Sequence, residues 1–179
     1  MKRNALVGLA VFGLLSALAG YIWTAFEFPF AIGVPAIVGW YAVTRSDFGH
    51  RTALWAGLVG GVTFTAVFII AVFFALTDGS PLALPAWAAA VAAAAAAGAL
   101  TGLLLDRGRG AIAMAGFSAV GMLVAIGIAA LLRTVAPASV DVAGATQAIY
   151  FALTIGLVGA AMGAANGAGA AWVAENRRG

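Results

Sequence analysis

The sequence predicts an all-α integral membrane protein, a bundle of six transmembrane helices with both termini in the cytoplasm. Of its 179 residues, 64% are apolar and only 8% are charged, whereas a soluble domain carries about 25% charged residues. So few polar side chains cannot cover a water-facing surface, but a membrane span of about 20 apolar residues needs none. Cutting the chain at its charges gives six apolar runs, which we interpret as one membrane domain covering residues 1–179.

The six predicted helices cover residues 5–26, 28–44, 52–76, 82–105, 110–132 and 145–174. Each is apolar on all sides, as a buried or lipid-facing helix is. The second is short and contains two prolines. Pro29 falls in the first turn, where proline is tolerated, and Pro35 is expected to kink the helix. A re-entrant hairpin that returns to the outer side is the alternative for this segment.

The basic residues decide between these alternatives. If all six segments cross and the N-terminus lies inside, the outer side receives only Arg133. The inner side then receives eight basic residues: Lys2, Arg3, Arg45, Arg51, Arg107, Arg109, Arg177 and Arg178. If the second segment did not cross, Arg45 and Arg51 would move outside and the bias would weaken. The positive-inside rule therefore predicts six crossings of the cytoplasmic membrane, and the excess of arginine over lysine suggests a GC-rich prokaryotic genome.

Tryptophan and tyrosine residues agree with this topology, because amphipathic rings prefer the two membrane interfaces. Four fall near the predicted outer boundary and four near the inner one: Tyr21, Trp23, Trp87 and Tyr150, then Trp40, Tyr41, Trp55 and Trp172. The first helix has a second interpretation, since Lys2, Arg3 and Ala17-Leu18-Ala19 are typical of a signal peptide cleaved after Ala19. Its apolar run continues to Phe26, so we expect it to remain uncleaved.

The last apolar run, residues 145–174, contains no charge and repeats glycine at every fourth position. Gly159, Gly163 and Gly167 consequently share one helix face. In water each glycine would cost about 1 kcal/mol relative to alanine. In a membrane, small residues at this spacing let two helix backbones approach closely. We therefore predict that the other helices pack against this one.

Glu27 and Asn166 are the candidate functional residues. Glu27 lies between Phe26 and Phe28 at the predicted outer boundary. We interpret it either as a hydrated interface carboxylate or as a group that contacts a ligand. Asn166 is expected to hydrogen-bond to a neighbouring helix, which is worth about 0.6 kcal/mol. No ionisable residue falls deep inside a predicted span, where ion-coupled transporters usually place them.

Catalytic and metal-binding groups are scarce. His50 is the only histidine, it falls in a predicted inner loop, and the chain has no cysteine. Metal centres and histidine-based catalytic sites need several such groups together. Residues 116–119, GFSA, resemble the serine motif of rhomboid proteases, but those enzymes use a membrane-embedded histidine, which this chain lacks. We therefore expect no enzyme activity, no cofactor and no metal.

Two predicted inner turns, residues 47–51 (DFGHR) and 106–109 (DRGR), resemble the D-x-G-R pattern between helices of major facilitator transporters. In size and predicted topology the chain resembles the membrane-embedded substrate-capture subunits of energy-coupling-factor vitamin importers. These resemblances imply a small-solute transporter or its substrate-binding subunit.

The principal hypothesis is different: a non-enzymatic accessory or packing subunit that acts through helix–helix contacts in the bilayer. Its partner would be another membrane protein or a second copy of the chain. The basic residues are scattered between apolar runs, which argues against a nucleic-acid partner.

Overall fold

The computed structural model describes residues 2–21, 28–77, 84–135 and 145–177. These residues form four helices: α1 (Lys2–Tyr21), α2 (Phe28–Thr77), α3 (Leu84–Val135) and α4 (Ala145–Asn176). No strand occurs in these four ranges. Each helix is long and apolar enough to cross a membrane. The predicted all-α class is confirmed, and the helices have the length and composition of membrane spans.

Helix α2 has 50 residues and α3 has 52, and each is interrupted near its middle. In α2 the break is Gly49, with φ 78° and ψ 167°. Glycine adopts such angles readily because it has no Cβ atom. In α3 the break covers Asp106 and Arg107, and Arg107 has a φ of 46°. The breaks divide α2 into arms 28–48 and 50–77, and α3 into arms 84–105 and 108–135.

The two arms of each long helix lie side by side. A straight helix of 50 residues would be about 75 Å long. Instead, a Cβ atom added to Gly61 would lie 2.6 Å from the backbone nitrogen of Ile37, in the other arm of α2. In α3, Gly102 in the first arm meets the backbone of Gly110 in the second. Both long helices therefore double back on themselves at their breaks.

Six separate helices were predicted, but the described residues form four, so the predicted number is not confirmed. The predicted segments 28–44 and 52–76 are the two arms of α2, and 82–105 and 110–132 correspond to the two arms of α3. Because each turn takes only one or two residues, the flanking charged residues stay helical. Helical backbone angles continue through Pro35, and the kink expected there stays a prediction. The connecting residues 22–27, 78–83 and 136–144 lie outside the described ranges.

Helix α4 contacts each of the other three helices, and most extensively α1. The two run antiparallel, since Asn4 lies against Gly167 and Gly13 against Ala160. Trp40 was expected at a membrane interface, but only 2% of its surface is exposed and its ring meets Phe12 edge to face at 6.4 Å. The arms of α2 and α3 surround Trp40 with apolar neighbours, so it belongs to the core.

Candidate functional site

A partly open cavity of about 370 Å³ lies between the helices, and all four helices contribute to its wall. We call it the central cavity. Among the described residues no charged side chain lines the wall, which is almost entirely apolar. The lining residues are Phe12 and Ser16 of α1; Ile32, Pro35, Ala36, Trp40, Phe64 and Phe68 of α2; Ala94 and Met122 of α3; and Thr154, Ile155, Val158, Gly159, Met162 and Asn166 of α4.

Small side chains leave this space unfilled. Ala36, Ala94 and Gly159 occupy wall positions on three different helices. Larger residues frame the cavity, and two of them, Phe64 and Phe68, stack with their ring centroids 5.7 Å apart. Protein interiors normally contain few voids larger than a water molecule. A space of this size between well-packed helices is therefore a candidate binding site.

The three glycines predicted to form a packing face lie against α1. A Cβ atom added to Gly163 would meet the carbonyl group of Gly8, and one added to Gly167 would lie 2.6 Å from the carbonyl carbon of Asn4. At Gly159 an added Cβ would lie 2.5 Å from the Cβ atom of Ser16. Any side chain at these positions would push α1 away. We call this set of contacts between α1 and the three glycines the α1–α4 seam.

Asn166, the second candidate from the sequence, lines the cavity and is completely buried, with 0% of its surface exposed. Its Oδ1 atom accepts a hydrogen bond of 2.7 Å from the hydroxyl of Ser118 on α3. Its Nδ2 atom has no hydrogen-bond partner among the described residues. Turning the amide over would leave Oδ1 without that donor instead, so one end of the side chain is unpaired in either orientation.

Unpaired polar atoms concentrate on the cavity wall. Besides Asn166 Nδ2, only Thr101 Oγ1 and Thr154 Oγ1 are buried side-chain atoms without a partner in the part of the chain that the structure describes. Thr154 also lines the cavity, whereas Thr101 does not. A buried donor left unsatisfied costs about 1–3 kcal/mol. The cavity therefore combines an apolar wall with hydrogen-bonding capacity that the protein itself does not use.

A second polar cluster joins the start of α1 to the break in α2, and here every asparagine atom is paired. Asn4 Nδ2 donates to the carboxylate of Asp47 and to the carbonyl oxygen of Val43, the latter at 3.4 Å. Asn4 Oδ1 accepts from the Ser46 hydroxyl at 3.4 Å. Arg3 lies 3.9 Å from Asp47 but is 74% exposed, so this ion pair adds little stability.

His50 is exposed and its Nδ1 atom lies 3.0 Å from the hydroxyl of Tyr41. No group of three or more potential metal ligands occurs among the described residues. Glu27, the first candidate from the sequence, lies outside the described ranges, so its role stays a prediction. The structure does not bring His50 near Asn166, since His50 follows the α2 break and does not line the cavity.

Sequence reasoning overlooked Ser118 as the partner of Asn166, and Asn4 as an anchor for α1. A usable signal was present for Ser118, because an asparagine in an apolar run requires a hydrogen-bond partner when it is buried. Few polar residues fall inside the other predicted spans, so pairing them with Asn166 would have produced a short list of candidates.

Comparison with protein families, with curated proteins and with solved structures found no match for this chain.

Proposed function

We propose that this chain is a non-enzymatic, multi-pass membrane protein that binds a small, uncharged and largely apolar molecule in the central cavity. It would act as a transporter or as the substrate-binding subunit of one. The cavity is the observation that carries the proposal. Ligand sites typically measure about 300–1,000 Å³ and combine an apolar wall with a few polar groups, and the observed 370 Å³ cavity has both properties.

The size of the cavity sets the size of the ligand. An engineered protein cavity of about 150 Å³ accommodates benzene. By proportion, a cavity of about 370 Å³ holds a molecule of roughly 15 non-hydrogen atoms. The described residues of its wall carry no charge, which argues against ions and charged solutes, because burying an uncompensated charge is very costly. A neutral solute that dissolves in the bilayer fits these requirements.

A cavity-filling variant tests the binding. Ala94 is buried and lines the cavity, whereas Ala92 lies in the same arm of α3 and is exposed. The wild type, Ala94→Phe and Ala92→Phe would be purified from native membranes in mild detergent and weighed by native mass spectrometry. We expect a bound small molecule on the wild type and on Ala92→Phe, and its loss from Ala94→Phe. Equal bound mass on all three proteins would contradict the proposed binding site.

The proposal includes six membrane crossings with both termini in the cytoplasm. Two arms in each long helix and the eight basic residues at one predicted side support this topology. Ser46 lies close to the break in α2, and Thr77 is the last residue of the second arm, far from the break. An impermeant thiol reagent added to intact cells should label Thr77→Cys and leave Ser46→Cys unlabelled. Labelling of Ser46→Cys from outside would contradict the orientation.

The second candidate function is the accessory role, which was the principal hypothesis from the sequence. The exposed surface of α3 around Gly116 and Gly127 favours it. Gly116 and Gly127 are exposed, lie three turns apart, and have open space where a side chain would be. Small residues on a lipid-facing surface allow another helix to approach closely. If a second copy packs there, Gly116→Cys should form a disulfide-linked dimer on oxidation in native membranes, and Leu14→Cys, exposed on α1, should not. Failure of Gly116→Cys to cross-link would exclude a second copy at this face.

A further inference from the structure

We infer that the ligand of the central cavity carries a hydrogen-bond acceptor, such as the oxygen of a ketone or an ester, and that Asn166 Nδ2 donates to it. This inference rests on the proposed function, because it names the class of molecule that the cavity binds. The observation behind it is the unpaired amide nitrogen of a side chain that is completely buried on the cavity wall.

Ser118 determines which end of the Asn166 amide is available. Its hydroxyl donates to Oδ1 at 2.7 Å, and this is its only hydrogen bond among the described residues, so turning the amide over would leave both Oδ1 and the Ser118 hydrogen without a partner. The amide oxygen is thereby engaged, and the NH₂ group, which carries two donors and no acceptor, is the end without a partner. The ligand must therefore supply an acceptor at this position.

Asn4, the other buried asparagine, shows that the fold can supply hydrogen-bond partners to both ends of an amide where no ligand is needed. Asn4 is 5% exposed and has partners on both its nitrogen and its oxygen. Asn166 is buried more deeply, yet only its oxygen is paired. No backbone carbonyl among the described residues accepts a hydrogen bond from Asn166 Nδ2, although helical carbonyl groups accept from the amides of Asn4 and Asn176. A cavity molecule is consequently the remaining source of an acceptor.

The residues of the cavity wall further restrict which class of molecule can supply the acceptor. An anion would need a cationic partner, and no described residue of the wall is cationic. A pure hydrocarbon would fill the space but leave the NH₂ group unpaired. A neutral carbonyl compound satisfies both conditions, since its oxygen accepts from Asn166 while its hydrocarbon part contacts residues such as Trp40 and Met162.

Two probes of the same shape test this selectivity. Benzophenone has a carbonyl oxygen where 1,1-diphenylethylene has a methylene group, so the pair differs in the acceptor and hardly in shape. Isotope-labelled samples of each would be equilibrated by dialysis with the protein in nanodiscs, with empty nanodiscs as the blank. The measured quantity is the ratio of the two affinities, and comparing this ratio between variants cancels the different solubility of the probes in lipid.

Asn166→Leu removes the donor and keeps the branching of the side chain. Thr101→Val is the matched control, because it also removes a buried polar atom without a partner but does not line the cavity. We expect the ketone-to-alkene affinity ratio to fall about tenfold in Asn166→Leu, the effect of one hydrogen bond. The ratio should not change in Thr101→Val.

Irradiation of bound benzophenone locates the probe independently. Met122 and Met162 line the cavity on facing helices, and peptide mapping should find the adduct on one of them. An affinity ratio that is the same in the wild type and Asn166→Leu, with the adduct still in the cavity, would overturn the inference and leave the proposed binding function standing. If neither probe binds, or the adduct lies elsewhere, both the inference and the proposed function are overturned.

Discussion

Helix α4 borders two different surroundings, the seam with α1 and the central cavity, which meet at Gly159. At the seam, Gly163 and Gly167 bring two backbones so close that no side chain fits between them. On the cavity side, Val158 and Met162 of the same helix border an unfilled space. One helix thus carries both the closest packing described in the molecule and the wall of its cavity.

The difference indicates how a small bundle of apolar helices can keep a cavity open without losing its fold. Association of helices in lipid depends on van der Waals packing and interhelical hydrogen bonds, because lipid offers little hydrophobic driving force. The seam provides the packing, and the Asn4 cluster provides hydrogen bonds between α1 and α2. The bundle is held together around the cavity, so the cavity itself does not need to be filled.

The largest expected effect is at the seam. A leucine at Gly163 or Gly167 would collide with the backbone of α1, so we expect a loss of about 3 kcal/mol or more in stability. Gly127→Leu is the matched control, because nothing lies within 4 Å of a Cβ atom added there. Thermal unfolding in detergent measures the difference. Equal losses in all three variants would show that the seam has no special role.

An intermediate effect is expected from the same substitution at the two buried asparagines. Asn4→Leu removes the hydrogen bonds to Val43 and Asp47 and should cost about 1–3 kcal/mol. Asn166→Leu removes an unpaired donor together with one bond to Ser118, and these effects largely offset each other. We expect the thermal stability of the ligand-free Asn166→Leu protein to match or exceed that of the wild type. A larger loss of thermal stability in Asn166→Leu than in Asn4→Leu would contradict this prediction.

The smallest effect is expected at Glu27, which lies outside the described residues. If it is a hydrated carboxylate at the outer interface, Glu27→Gln should change stability by less than about 0.5 kcal/mol. Thermal unfolding of the wild type and the variant between roughly pH 4 and pH 8, on either side of the ordinary glutamate pKa, should give parallel curves. Curves that diverge with pH would show that the Glu27 carboxyl group is buried or contacts another group.

The apolar runs were sufficient to predict the helical class, because the low charge and the length of each run leave no other fold in a bilayer. They were insufficient to locate the helix ends. Gly49 can turn the chain within one residue, so the charged residues around it, which marked a loop in the sequence, remain helical. The hydropathy pattern does not distinguish a turn of one residue from a longer loop.

The candidate site was only partly accessible from the sequence. Asn166 could be identified because it is polar within an apolar run. The cavity could not, because it arises where Ala36, Ala94 and Gly159 of three helices meet, and their positions are up to about 120 residues apart in the chain. The unpaired state of Asn166 is likewise a property of tertiary packing, since it depends on Ser118 reaching the amide oxygen.

The α1–α4 seam joins Gly8 to Gly163, so it connects residues made at very different times on the ribosome. At about 5–20 residues per second, roughly 10–30 s separate the synthesis of the two. During that interval the surface of α1 that contacts α4 is not yet covered by it. A chain interrupted before α4 would leave this surface of α1 uncovered.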